Sequence, residues 1–193
     1  MGVEALYDII HRLEQESTEL GIPSISREDG TLLAGLAFSR CTEEPGLLVD
    51  AGAGIGFSTA WLVLGSLASK GKCRVIAIEY DSRLYRSLLT ASRQLSRFVP
   101  VEAVNENALH ALGRVRGATL IFVDIEKDQY PEALELVEEA LLPGGVVAFH
   151  NAIFPPPPAS FFRMIEDKGW PSVVVPTLAG GMLVARKPGP PKT

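Results

Sequence analysis

Between positions 46 and 149, short apolar runs alternate with longer amphipathic ones, and this alternation narrows the possible folds more than any other feature of the chain. Gly46–Asp50, Arg74–Glu79, Val99–Val104, Ala118–Asp124 and Gly145–Phe149 read as strands. Ser58–Ala68, Ser82–Phe98, Asn107–Val115 and Pro131–Leu142 read as helices. Apolar strands bounded by Gly or Asp, each followed by a helix, predict a parallel sheet covered on both faces. Two helices precede this unit, Val3–Leu20 and Arg27–Arg40, and a third, Ser160–Lys168, follows the proline run Pro155–Pro158. The last two strands, Ser172–Pro176 and Gly181–Arg186, are joined by too few residues for a helical crossover, so they should pair antiparallel. The chain has 193 residues, a length that suits one domain. That domain is expected over 1–187, with an N-terminal helical segment to about 40 and a disordered tail at 188–193.

The first strand runs into Asp50-Ala-Gly52-Ala-Gly54-Ile-Gly56-Phe-Ser58. Glycines let backbone turn sharply and approach a ligand closely, and the helix that follows offers unpaired N–H groups to an anion. A dinucleotide site needs G-x-G-x-x-G, which would put the third glycine at 57, where Phe57 stands. The spacing therefore speaks against a nicotinamide oxidoreductase. Glu79 closes the second strand at the distance where such folds place a ribose-binding acid. Alone it reads equally well as a solvated strand end; beside the glycine loop it reads as a binding residue, because a carboxylate accepts from both ribose hydroxyls. Asp81 reads as the N-cap of the next helix, and Ser58 as either a cap or a ligand contact.

The net charge of −5 offers no broad basic field, so nucleic acid is not the expected partner. The N-terminus lacks the apolar core of a signal peptide, and the most apolar window, 46–68, is broken by Asp50 and glycines, so no membrane span is expected and the cytoplasm is the default location. Cys41 and Cys73 show no metal-type spacing and read as free buried thiols. His11 and His110 read as exposed helix residues, Trp61 and Trp170 as packing residues, and Glu138-Glu139 as a solvated helix face.

Four stretches carry a resemblance: Leu48–Thr59, Ile76–Asp81, Phe122–Pro131 (Phe-Val-Asp-Ile-Glu-Lys-Asp-Gln-Tyr-Pro) and Leu141–Asn151. Together they resemble the class I S-adenosylmethionine-dependent methyltransferases, specifically the catechol and caffeoyl-CoA O-methyltransferase group, over about residues 30–187. The resemblance implies a Rossmann-like, doubly wound α/β sheet of seven strands in the order 3-2-1-4-5-7-6, mostly parallel with an antiparallel last strand. It implies that Asp50, Gly52, Gly54 and Gly56 line the methionine part of S-adenosylmethionine, that Ser58 faces its carboxylate, that Glu79 holds the ribose and that Asn107 meets the adenine. It implies that Asp124 lies near the methyl donor and is a metal ligand, that Lys127 is the catalytic lysine and that Asn151 is a second metal ligand. Family members often pair as homodimers.

The chain departs from the family on the acceptor side. The family has Asp-Asn after the fifth strand; here it is His150-Asn151, and the loop that follows is shortened to a proline run. A phenolic acceptor, with a pKa of about 10, needs a base or a Lewis acid to lose its proton. His150 in place of a carboxylate weakens Mg²⁺ and favours Mn²⁺, Fe²⁺ or Zn²⁺ on Asp124, His150 and Asn151. Alternatively the metal is lost and His150 serves as general base, or His150 only caps the strand end. The expectation is methyl transfer to a small hydroxylated acceptor. An N- or RNA methyltransferase of the same fold, or a cofactor-binding protein with little turnover, remains open.

Overall fold

The computed structural model describes residues 2–43 and 45–189. Two helices lead the chain, α1 (Val3–Glu19) and α2 (Arg27–Glu43). The alternating unit follows as β1 (Leu47–Ala51), α3 (Phe57–Ser66), β2 (Arg74–Glu79), α4 (Ser82–Leu95), β3 (Val101–Asn105), α5 (Ala108–Leu112), β4 (Ala118–Val123), α6 (Tyr130–Ala140) and β5 (Leu141–His150). It ends with α7 (Ala159–Asp167), β6 (Ser172–Val175) and β7 (Met182–Arg186). The strands form one sheet in the order β3-β2-β1-β4-β5-β7-β6. All pairings from β3 to β5 are parallel, and β7 runs antiparallel to both β5 and β6.

Strand alternation sorts the apolar residues into two cores, one on each face of the sheet. Leu47, Val49 and Ala51 pack with Leu112, Tyr130, Leu134, Phe149 and Phe161, under α5, α6 and α7. Leu48 packs on the other side with Leu6, Leu13, Leu33, Trp61 and Leu62, under α1, α2 and α3. Asp50 shares the register of Leu48 and is therefore carried into the interior beside α3. The close fit of α2 on α3 depends on Gly30, where a Cβ would stand 2.3 Å from the Trp61 ring. Trp61 and Trp170 are both buried, as packing residues should be.

Two sequence expectations need correction. Cys41 and Cys73 are joined by a disulfide. No local spacing announces it; the end of α2 packs against the approach to β2 and brings the two Cα atoms to 6.1 Å. Disulfides persist mainly in oxidising compartments, which pulls against the cytoplasmic expectation. Secondly, Leu141 and Leu142 belong to β5 rather than to the end of α6, because Ala118 of β4 pairs with Leu141 before the register shifts. The expected tail falls mostly outside the described residues, which stop at 189. Among the described residues no helix is long and apolar enough to cross a membrane.

Candidate active site

The carboxyl ends of β1, β2 and β4 meet at one edge of the sheet, and every glycine-loop residue lies there. Gly52 and Ala53 both donate to the carbonyl of Ile78, and Asp124 donates to the carbonyl of Ala51, so the loop is stitched to both neighbouring strands. Gly52 has φ +99°, and a Cβ there would stand 2.0 Å from the Asp124 carbonyl oxygen. Gly56 is the left-handed N-cap of α3 and makes no side-chain cap bond, leaving the first amides of the helix available to an anion. The loop, Phe57, Ser58 and Asp124 line an open pocket together with residues 22–25, the segment between α1 and α2.

Two buried carboxylates brace this pocket. Glu79 accepts from the Gly54 amide at 2.9 Å and the Asp81 amide at 2.7 Å, so it ties the loop to the turn after β2. Burial raises its pKa against the pull of those amides. Asp50 accepts from Ser58 Oγ at 2.8 Å and Thr59 Oγ1 at 2.5 Å. Burial pushes it up to about 7, and the hydroxyl bonds only partly offset this. Its Oδ1 has no hydrogen-bond partner. Ser58 thus donates to Asp50 rather than capping α3, while still lining the pocket.

Asn107 is not among the residues lining that pocket. It caps α5, accepting from the amides of Leu109 and His110, and is exposed. Asp81 caps α4 as expected. Asn105, which sequence reasoning passed over, donates to the carbonyls of Glu79 and Tyr80 and fixes the backbone behind the carboxylate.

On the acceptor side the structure brings Asp124, Lys127 and His150 together. Lys127 Nζ donates to Asp124 Oδ1 at 2.9 Å, to the Ile125 carbonyl at 3.0 Å and to Tyr130 Oη at 3.0 Å, so each of its three hydrogens has an acceptor. Tyr130 Oη in turn donates to the His150 carbonyl at 2.8 Å. Burial first, then the charge of Asp124, holds the Tyr130 phenol well above its usual pKa and therefore protonated.

His150 Nδ1 lies 3.2 Å from Asp124 Oδ2, and its Nε2 lies 3.5 Å from Asp29 Oδ2. These are ion-pair contacts; neither N–H is aimed well enough to count as a hydrogen bond. Burial works against a charge on the ring, but the two carboxylates outweigh it and push His150 up to about 9. Asp29 is fully buried and is held down at about 2; burial opposes its charge, and His150 and Ser26 prevail.

Asp29 is the residue the sequence reading missed. Its signal was Ser26-x-x-Asp29, a capping box at the start of α2. Ser26 donates to Asp29 Oδ2 through N–H and Oγ, and the Asp29 amide donates back to Ser26 Oγ. Nothing in that pattern shows that the box also faces His150, across 121 positions of chain.

This donor set does not fit a divalent ion. Both oxygens of Asp124 already face cations, and both ring nitrogens of His150 face carboxylates. The Asn151 amide nitrogen donates to the carbonyls of Phe154 and Ala179 and holds the loop after β5. Among the described residues no group of three or more His, Cys, Asp or Glu is arranged to hold a metal.

Solved structures share this architecture. A methyltransferase from Geobacter sulfurreducens superposes with TM-score 0.79 at 22% identity, covering 94% of this chain and 89% of its own. An O-methyltransferase from Streptomyces achromogenes involved in tomaymycin synthesis, in complex with SAM, gives 0.72 at 22%, covering 98% and 92%. An O-methyltransferase from Bacillus cereus, in complex with SAH, gives 0.73 at 16%, covering 97% and 92%. The fold is that of the S-adenosylmethionine-dependent methyltransferases. No family model matches the chain, and no curated protein matches it in sequence. Within the methyltransferase fold, the pocket described here occupies the edge where open α/β sheets bind ligands.

Proposed function

We propose that the chain is an S-adenosylmethionine-dependent methyltransferase acting on a hydroxyl of a small phenolic or catechol-like acceptor. The observation that carries this reading is the pocket formed by the glycine loop, the uncapped start of α3 and Asp124, with Glu79 tied to Gly54 at its rim. Two solved neighbours of the same fold, one holding SAM and one SAH, are described as O-methyltransferases.

When bound, the sulfonium supplies a methyl group already activated for in-line displacement. The chain's own residues do the rest. The loop amides and the α3 terminus suit the amino-acid end, and Glu79 has lone pairs left for ribose hydroxyls after its two amide bonds. Binding both reactants in one crevice provides the proximity on which such a displacement mainly depends. Lys127 and His150 hold Asp124 in place behind the loop, where it lines the pocket.

The full engagement of Lys127 favours a second reading, a cofactor-binding protein with little turnover. Calorimetry with S-adenosylhomocysteine and with NAD tests the cofactor: binding of the first and not the second is expected, and the reverse removes the proposal. A screen of phenols with methyl-labelled donor then separates the two readings.

A further inference from the structure

The charges behind the pocket form a closed chain. Asp29 from α2 faces His150 at the end of β5; His150 faces one oxygen of Asp124, and Lys127 takes the other. The side chains of Asp29 and His150 are almost entirely removed from solvent, at 0% and 4% exposure. A carboxylate so deeply buried is tolerated only when paired, and Asp29 does not line the cofactor pocket. The Ser26 capping box fixes where Asp29 points, and Tyr130 locks both the Lys127 ammonium and the His150 backbone. The two carboxylates and two cations balance in number, and no side of Asp124 faces open space without a cation beside it.

Resting on the methyl-transfer reading above, we infer that the Lys127 ammonium and the His150 ring occupy the two oxygens of Asp124 that a divalent ion would need, with Asp29 fixing the far nitrogen of the His150 ring. A divalent cation entering this site must displace one of the two and then sit beside the other. The position where the family carries a third acidic or neutral ligand is already positive. Replacing His150 by a carboxylate reverses the situation: three acids then converge with Lys127 as their one neighbouring cation, and the site favours a second.

The test is Mn²⁺ titration of the full chain, followed by electron paramagnetic resonance and calorimetry, alongside methyl transfer with and without EDTA. The unaltered chain is expected to take up no Mn²⁺ at Asp124 and to turn over equally in EDTA. His150→Asp is expected to tighten Mn²⁺ binding by about tenfold or more. Mn²⁺ bound by the unaltered chain and lost in Asp124→Asn overturns the inference; Mn²⁺ that persists in Asp124→Asn sits elsewhere and leaves it standing. Should His150→Asp fail to fold, nitrogen NMR of the His150 ring supplies an independent reading. The ring nitrogen resonances should shift in Asp29→Asn, because Asp29 Oδ2 stands 3.5 Å from Nε2 in the unaltered chain. A ring unchanged by Asp29→Asn removes Asp29 from the proposal. Failure to bind S-adenosylhomocysteine would sink the methyl-transfer reading alone, since Mn²⁺ uptake and ring protonation are read without it.

Discussion

The two halves of the crevice are built by different means. The half proposed for the cofactor is backbone geometry: Gly52 and Gly56 at positive φ, loop amides on strand carbonyls, one acid bracing each end. The half proposed for the acceptor is side-chain electrostatics, with four ionisable groups drawn from three distant segments. The loop's conformation is set by its own glycines and by the strands it is stitched to, and tolerates little change at any one position. A charge cluster assembled at long range tolerates new members, provided the sum of charges is kept. That is why His150 can stand where the resembled family has an acid, while the loop retains its glycines.

The sharpest way to break the contrast is Gly52→Ala. It adds a Cβ where the Asp124 carbonyl already stands and at a φ that L residues rarely adopt. We expect S-adenosylhomocysteine affinity to fall about a hundredfold or more and stability to drop by about 3 kcal/mol, measured by calorimetry and urea unfolding. A variant that binds normally would mean the close approach of loop to β4 is dispensable.

Next in size is His150→Phe, which leaves Asp29 and Asp124 buried without their shared cation. A loss of about 3–5 kcal/mol in urea unfolding is expected, and a change under 1 kcal/mol would show that the charge chain contributes little.

The pH dependence of stability probes the same chain without mutation. His150 is held at about 9 against an ordinary 6.5, so its contribution is complete below about 6.5 and lost as the pH rises through about 9. Asp50, raised to about 7 from 3.8, acts in the same direction: its proton is retained in the folded state and lost as the pH passes about 7. Unfolding free energy should therefore fall between about pH 4 and 7 through Asp50, and between about pH 6.5 and 9 through His150, the latter by on the order of 3 kcal/mol. A flat profile over that range contradicts the pairing.

Lys127→Ala should lower turnover by about tenfold to a hundredfold while changing S-adenosylhomocysteine affinity far less, because its contacts are with Asp124, Ile125 and Tyr130 rather than the loop. The smallest effect is Asn107→Ala, where loss of the α5 cap should cost about 1 kcal/mol. A drop in cofactor affinity larger than that would return Asn107 to the adenine.

Much of this protein was legible before any coordinates. Period-two and period-3.6 patterning placed every strand and helix, because burial on two faces forces apolar strands and one-sided helices. The antiparallel end of the sheet followed from a connection too short to cross over. The glycines of the first turn were legible because a tight turn at positive φ restricts residue type locally.

Other features were settled only by tertiary packing. The sequence named Asp124, Lys127 and His150 but left His150 open as ligand, base or cap. Its protonated state depends on Asp29, which arrives from α2 through a contact that no local pattern encodes. The Cys41–Cys73 bond has the same origin. Local rules fix what a segment becomes. Which charges share a buried space, and hence which of them keep their protons, depends on how the segments pack.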